Sequence, residues 1–112
     1  MTALFSRSGV TMSEENATLL VVGDVDVGLA ADLAASGVKW LKQTELTAIS
    51  LDFSRVEKAS SVAISVLFEW LRICRRRAIQ VQAILLSAPL RRLASLAELD
   101  ALIEQPATAL AV

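Results

Sequence analysis

The side chains able to do chemistry in this sequence are few, and what is missing narrows the field first. Across 112 residues there is no histidine and no tyrosine, and Cys74 is the only cysteine. Ser-His-Asp and Cys-His catalysis therefore lack their base, and the usual zinc sets cannot be assembled. A lone thiol closes no intramolecular disulfide. The phosphate-cradling run Gly-x-x-x-x-Gly-Lys-Ser/Thr is absent as well. What remains is three carboxylates near strand ends (Asp24, Asp26, Asp52), the serine pair Ser60-Ser61, and the arginines Arg72, Arg75, Arg76 and Arg77. The carboxylates could hold a divalent cation, but their sequence separation leaves the geometry open, and loop capping is the plainer role. Serines ahead of an apolar helical pattern cap the helix. Arginines at a helix end complement its dipole. With a net charge of −1 and no interleaved aromatics, nucleic acid is not an expected partner. Neither catalysis nor a cofactor is expected, and no metal.

The elements that must position these groups follow from periodicity. A chain of this length suits one domain and buries roughly two-thirds of the surface its unfolded form exposes. The apolar fraction is 54%, yet no apolar run approaches the ~20 residues needed to span a bilayer, so the surplus must enter a core or a protein interface. The start lacks the charged and apolar regions of a secretory signal, and a cytoplasmic location is the default expectation. Gly9 to Ser13 and Thr18 to Val22 read as short strands joined through Glu14-Glu15-Asn16, an N-terminal hairpin. Gly28 to Lys42 is helical by period, with Leu29, Leu33, Trp40 and Leu41 on one side and Gly37 weakening it. Leu46 to Phe53 is a strand covered on at least one face. Ser60 to Arg77 is the clearest helix: Ala63, Val66, Leu67, Trp70, Leu71 and Cys74 recur at helical spacing. Cys74 on that face is a small apolar filler. Ile79 to Leu86 is a strand, and Ser87-Ala88-Pro89 opens a short helix. Ala101-Leu102-Ile103 reads as an edge strand, and the tail from Pro106 to Val112 is expected to be disordered. Alternating strands and helices imply an α/β fold with right-handed crossovers.

The run Leu51-Asp52-Phe53-Ser54-Arg55-Val56 followed by Ser60-Ser61-Val62-Ala63-Ile64 resembles the STAS domain (sulphate transporter and anti-sigma factor antagonist). Gly23-Asp24-Val25-Asp26 stands where that family ends an early strand, and Leu90 to Leu99 is similar to its final helix. The resemblance covers about residues 9–103, within a single domain spanning 1–112. It implies a mixed, mostly parallel four- to five-stranded sheet with helices mainly on one face. The closest likeness is to the MlaB-like group, stand-alone subunits of Mla phospholipid ABC transporters that help maintain outer-membrane lipid asymmetry. That likeness implies a non-catalytic cytoplasmic subunit, peripheral to the inner membrane, bound to the transporter's ATPase in complex with its permease and substrate-binding subunits. The alternative is an anti-sigma factor antagonist switched by phosphorylation, with Ser61 as the phosphoacceptor. Here the sequence departs from the phosphorylatable pattern: Ser60 replaces the preceding aspartate, and Val62-Ala63 replaces a Gly-Gly pair that permits close backbone approach.

Helical geometry points to the same corner. The apolar arc of Ser60–Arg77 spans roughly 240° at ~100° per residue, whereas packing one face on a sheet needs only about 100° or somewhat more. Ala63, Leu67, Trp70 and Cys74 should face the sheet. Ile64 and Phe68 lie at the edge of the arc beside Ser61 and Ser65, with burial under the first helix as the plain alternative. The expected partner-binding set is Ser54, Arg55, Lys58, Ser60, Ser61, Ile64, Ser65 and Phe68. Surplus apolar surface also allows a homodimer when the chain is isolated.

Overall fold

Buried and part-exposed residues alternate along Thr18–Val22 and Ala48–Arg55. Leu19 and Val21 are buried in the first, and Ile49, Leu51 and Phe53 in the second, as befits strands covered on one face. The computed structural model describes residues 1–106. Its elements are β1 (Thr2–Arg7), β2 (Val10–Glu15), β3 (Thr18–Val22), α1 (Val27–Gln43), β4 (Ala48–Arg55), α2 (Ser61–Arg76), β5 (Gln80–Leu86), α3 (Ala88–Leu96) and α4 (Asp100–Glu104). The strands form one sheet in the order β1-β2-β3-β4-β5. Pairs β1/β2 and β2/β3 are antiparallel; β3/β4 and β4/β5 are parallel, with α1 and α2 as their crossovers. The two crossover helices pack against each other and cover the core that includes Met12, Leu19, Leu51, Phe53 and Val81. Among the described residues no helix is long and apolar enough to cross a membrane.

The expected hairpin is present as β2–β3, but its turn sits one residue later than expected. Asn16 and Ala17 both take positive φ, 53° and 60°, and the Glu14 carboxylate accepts from Ala17 N at 3.3 Å. Two successive left-handed residues match the twist of the flanking strands. Two elements depart from the expectation. β1 was not foreseen: Thr2–Arg7 is a half-exposed edge strand with a register break between Ala3 and Phe5, so it carries little alternation to read. It adds a second antiparallel pair, which makes the sheet more evenly mixed. Ala101-Leu102-Ile103 is helical, not an edge strand. Three apolar residues cannot distinguish the two periods, and here Leu99, Leu102 and Ile103, spaced i, i+3, i+4, turn inward together. Pro106 is buried, and the rest of the tail, 107–112, lies outside the described residues.

Gly37 has a reason to interrupt α1. A Cβ there would lie 2.2–2.5 Å from three atoms of the Trp70 ring, so the glycine is what lets the indole of α2 lie against the α1 backbone. Trp70 is fully buried, donates from Nε1 to the Ala34 carbonyl at 3.0 Å, and meets the Phe53 ring at 5.5 Å between centroids. Helix closure thus joins apolar burial with a satisfied indole N–H. Gly37→Ala should gain up to ~1 kcal/mol of helix propensity but lose more to overpacking against a buried, immobile ring, which costs ~1–3 kcal/mol. The expected outcome is a lower urea midpoint at unchanged m value; a neutral or stabilised variant would contradict this packing.

Candidate functional site

The loop from Val56 to Ser60 leaves the carboxyl end of β4 and enters α2, and short polar side chains hold it and the last residues of the strand from three directions. Asp52 Oδ1 accepts from Ser54 N at 2.9 Å and from Ser54 Oγ at 2.6 Å, closing a tight turn. Asp24 Oδ1, from the end of β3, accepts from Lys58 N at 3.0 Å. Ser87 is buried: its hydroxyl donates to the Val56 carbonyl at 2.6 Å and accepts from Leu90 N at 3.4 Å, so one residue caps α3 and ties down the loop. Val56 itself is fully buried beneath the loop. Asp26 Oδ1 caps α1 by accepting from Leu29 N at 3.1 Å. All three aspartates singled out from the sequence therefore accept from backbone amides. Among the described residues no three His, Cys, Asp or Glu side chains converge in a way that could hold a metal ion.

The four serines of the expected surface divide unequally. Ser54 is engaged by Asp52; Ser60 is the N-cap of α2, accepting from Val62 N at 3.1 Å; Ser65 donates to the Ser61 carbonyl at 3.0 Å. Ser61, the first residue of α2, is exposed, and its hydroxyl makes no hydrogen bond among the described residues. The capping role open to either serine thus belongs to Ser60, which leaves Ser61 accessible.

On α2 the residues expected to face the sheet do so: Ala63, Leu67, Trp70 and Cys74 are buried to within 1%. Burial pushes the Cys74 thiol up to about 11, so it stays protonated and inert at neutral pH. Phe68 is 38% exposed and Ile64 half-buried, in line with the exposed Ser61 and Ser65. The first helix does not seal this stripe. α1 runs along the other flank, where Ala30, Ala34, Val38, Val62 and Val66 help line a groove of about 530 Å³. Arg55, the last residue of β4, and Lys58 on the loop are both exposed, so the eight expected residues follow one another from the end of β4 through the loop into α2. Ser54 and Ser60 have their hydroxyls committed to local bonds, while Ser61 and Phe68 offer free chemistry.

Sequence reasoning missed Val27. It is 79% exposed at the start of α1, beside a crevice of about 340 Å³ formed with Asp24, Asp26, Lys58 and Ser60. A lone valine next to a capping aspartate carries no periodic signal. Arg77 was assigned to the end of its own helix; instead its Nη1 donates to the Leu41 carbonyl at 2.6 Å and to the Thr44 carbonyl at 3.4 Å, closing the C-terminus of α1. Ser87→Ala should leave the Val56 carbonyl unsatisfied and α3 uncapped, a loss of ~1–3 kcal/mol. Hydrogen exchange should accelerate at Lys58 and Leu90 amides; unchanged exchange there would separate the loop from Ser87.

A family model described as "Mlab, STAS domain" matches residues 8–104. No curated protein matches the chain. The matched family is generally non-catalytic. Because the match runs unbroken from the turn before β2 to the last residue of α4, the chain belongs to the STAS domain family of MlaB type.

Proposed function

We propose that this protein is a non-catalytic subunit that binds and stabilises the ATPase of a Mla-type ABC phospholipid transporter. Its permease and substrate-binding subunits complete that complex, which serves outer-membrane lipid asymmetry from the cytoplasmic side. Family membership supports the transporter association. The observation that carries the choice of surface is the exposed stripe in which Phe68, 38% accessible, follows Ser61 and Ser65 along α2, with half-buried Ile64 beside it. An aromatic ring already half ordered by its own helix loses little further entropy when a partner covers it, as interface anchors require. Ser54, Arg55, Lys58 and Ser60 form the adjoining polar rim. The mechanism is a population shift: binding better to one conformation of the ATPase favours it by the difference in affinity.

Phe68→Asp tests the surface. Removing a central anchor and adding a charge should weaken ATPase binding by ~2 kcal/mol or more, about thirtyfold in Kd, with thermal unfolding little changed. ATPase activity of the complex should fall toward that of the ATPase without this subunit. A variant that binds like the wild type would remove Phe68 from the interface.

The free, exposed hydroxyl of Ser61 is the one observation that favours the second reading, a phospho-switched antagonist of an anti-sigma factor. Phosphate at the first residue of a helix is electrostatically favourable. Intact mass of the protein purified from its own cells, with and without phosphatase, separates the two. The docking reading expects one unmodified mass; a phosphatase-sensitive phosphate lost in Ser61→Ala would support the switch.

A further inference from the structure

The net charge of −1 conceals a strong segregation. Positions 70–97 contain six of the eleven basic residues, all arginine, and no Asp or Glu; the remaining positions hold five basic and twelve acidic residues. The positive block comprises the second half of α2, β5 and α3. Helix dipoles account for only part of it, Arg75 and Arg76 in the last turn of α2. Arg77 is used at the end of α1, and Arg91 and Arg92 are the fourth and fifth of the nine residues of α3, away from its last turn, where positive charge would complement the dipole. Local pairing does not account for it. Arg72 bonds to Glu69, but Arg76, Arg91 and Arg92 are exposed and have no ion-pair partner among the described residues.

Part of the block lies in line with the stripe described above. Ser61, Ser65, Phe68, Arg72 and Arg76 follow one another at spacings of four, three, four and four, a single exposed line along α2. α3, which carries Arg91 and Arg92, packs against α2. Arginine rather than lysine suits this place, because its planar fork binds carboxylates in pairs and it is enriched at interfaces.

We propose that Arg72 and Arg76 of α2, with Arg91 and Arg92 of α3, form the charged half of the docking surface and receive a carboxylate-rich segment of the partner protein. This rests on the docking reading of Phe68 and extends it: the partner must present acidic residues next to the pocket that covers the ring. A protein fits better than a nucleic acid or an anionic bilayer. The rest of the molecule carries excess negative charge that repels a polyanion.

The test measures binding of the full-length protein to the ATPase subunit at 50, 150 and 500 mM NaCl. The variants are Arg72→Glu with Arg76→Glu, Arg91→Glu with Arg92→Glu, Lys39→Glu with Lys42→Glu as an equal charge change on α1, and Phe68→Asp. A parallel arm uses vesicles of phosphatidylcholine with phosphatidylglycerol. Wild-type affinity should fall with salt. Each arginine reversal should weaken binding about tenfold at 150 mM and flatten the salt dependence, the behaviour of steering charges at an interface. The lysine reversal should leave affinity unchanged. If Phe68→Asp abolishes binding while both arginine reversals bind like the wild type, the charged half is overturned and the docking surface stands. If the wild type does not bind the ATPase, both are overturned. If the arginine reversals abolish vesicle binding but leave ATPase binding intact, the block serves lipid and the proposal is overturned.

Discussion

The closure of α1 onto α2 through Trp70 is the constraint on which the remaining structure depends. The indole fills the space between the helices and the sheet, touches Phe53 of β4, and spends its only donor on the Ala34 carbonyl. That contact requires a residue without a side chain opposite the ring, and Gly37 meets the requirement at a cost of about 1 kcal/mol in helix propensity. Because the ring fixes the rotation of α2 about its own axis, it also decides which residues face outward. With Trp70 inward, Ser61, Ser65, Phe68, Arg72 and Arg76 must lie on the solvent side. Docking surface and core are therefore two consequences of one rotation.

The loop preceding α2 is held with the same economy of parts. Asp24 follows β3, Asp52 lies in β4 and Ser87 follows β5, and each binds a backbone group between residues 54 and 58. Short side chains at strand ends suit this task, since they reach adjacent amides without losing much rotamer freedom. The loop is thereby ordered before any partner arrives, which lowers the entropy lost on binding. Ser60 completes the arrangement by capping α2, which leaves the neighbouring Ser61 hydroxyl unspent.

Charge is arranged on a larger scale than any single ion pair. Every Asp and Glu lies outside the stretch from Trp70 to Ala97, which holds six of the eleven basic residues, all arginine. The side-chain ion pairs of Arg7 with Asp32 and of Arg72 with Glu69 are solvent-exposed and contribute little to stability. An uneven field of this kind costs some self-repulsion and acts on association instead, through steering and orientation.

Much of this was legible before any coordinates. Alternation in Thr18–Val22, the long apolar period of Ser61–Arg76, and Ser87-Ala88-Pro89 at a helix start each specify an element by local physics, and the motifs around Asp52 and Ser61 pointed to the STAS family. β1 and α4 were not legible, because an edge strand with a register break and a five-residue helix carry too few periods to read. Within the site, the sequence established that α2 has more apolar circumference than a sheet can cover. Only the tertiary structure decided that α1 takes the Val62–Val66 flank and leaves Phe68 exposed and Ile64 half-buried, that Ser60 rather than Ser61 is the cap, and that Arg77 closes a helix 36 residues away from it in sequence at Leu41. The physical reason is one of range: periodicity sets which face of an element is apolar, whereas what covers that face depends on neighbours brought together by packing over distant parts of the chain.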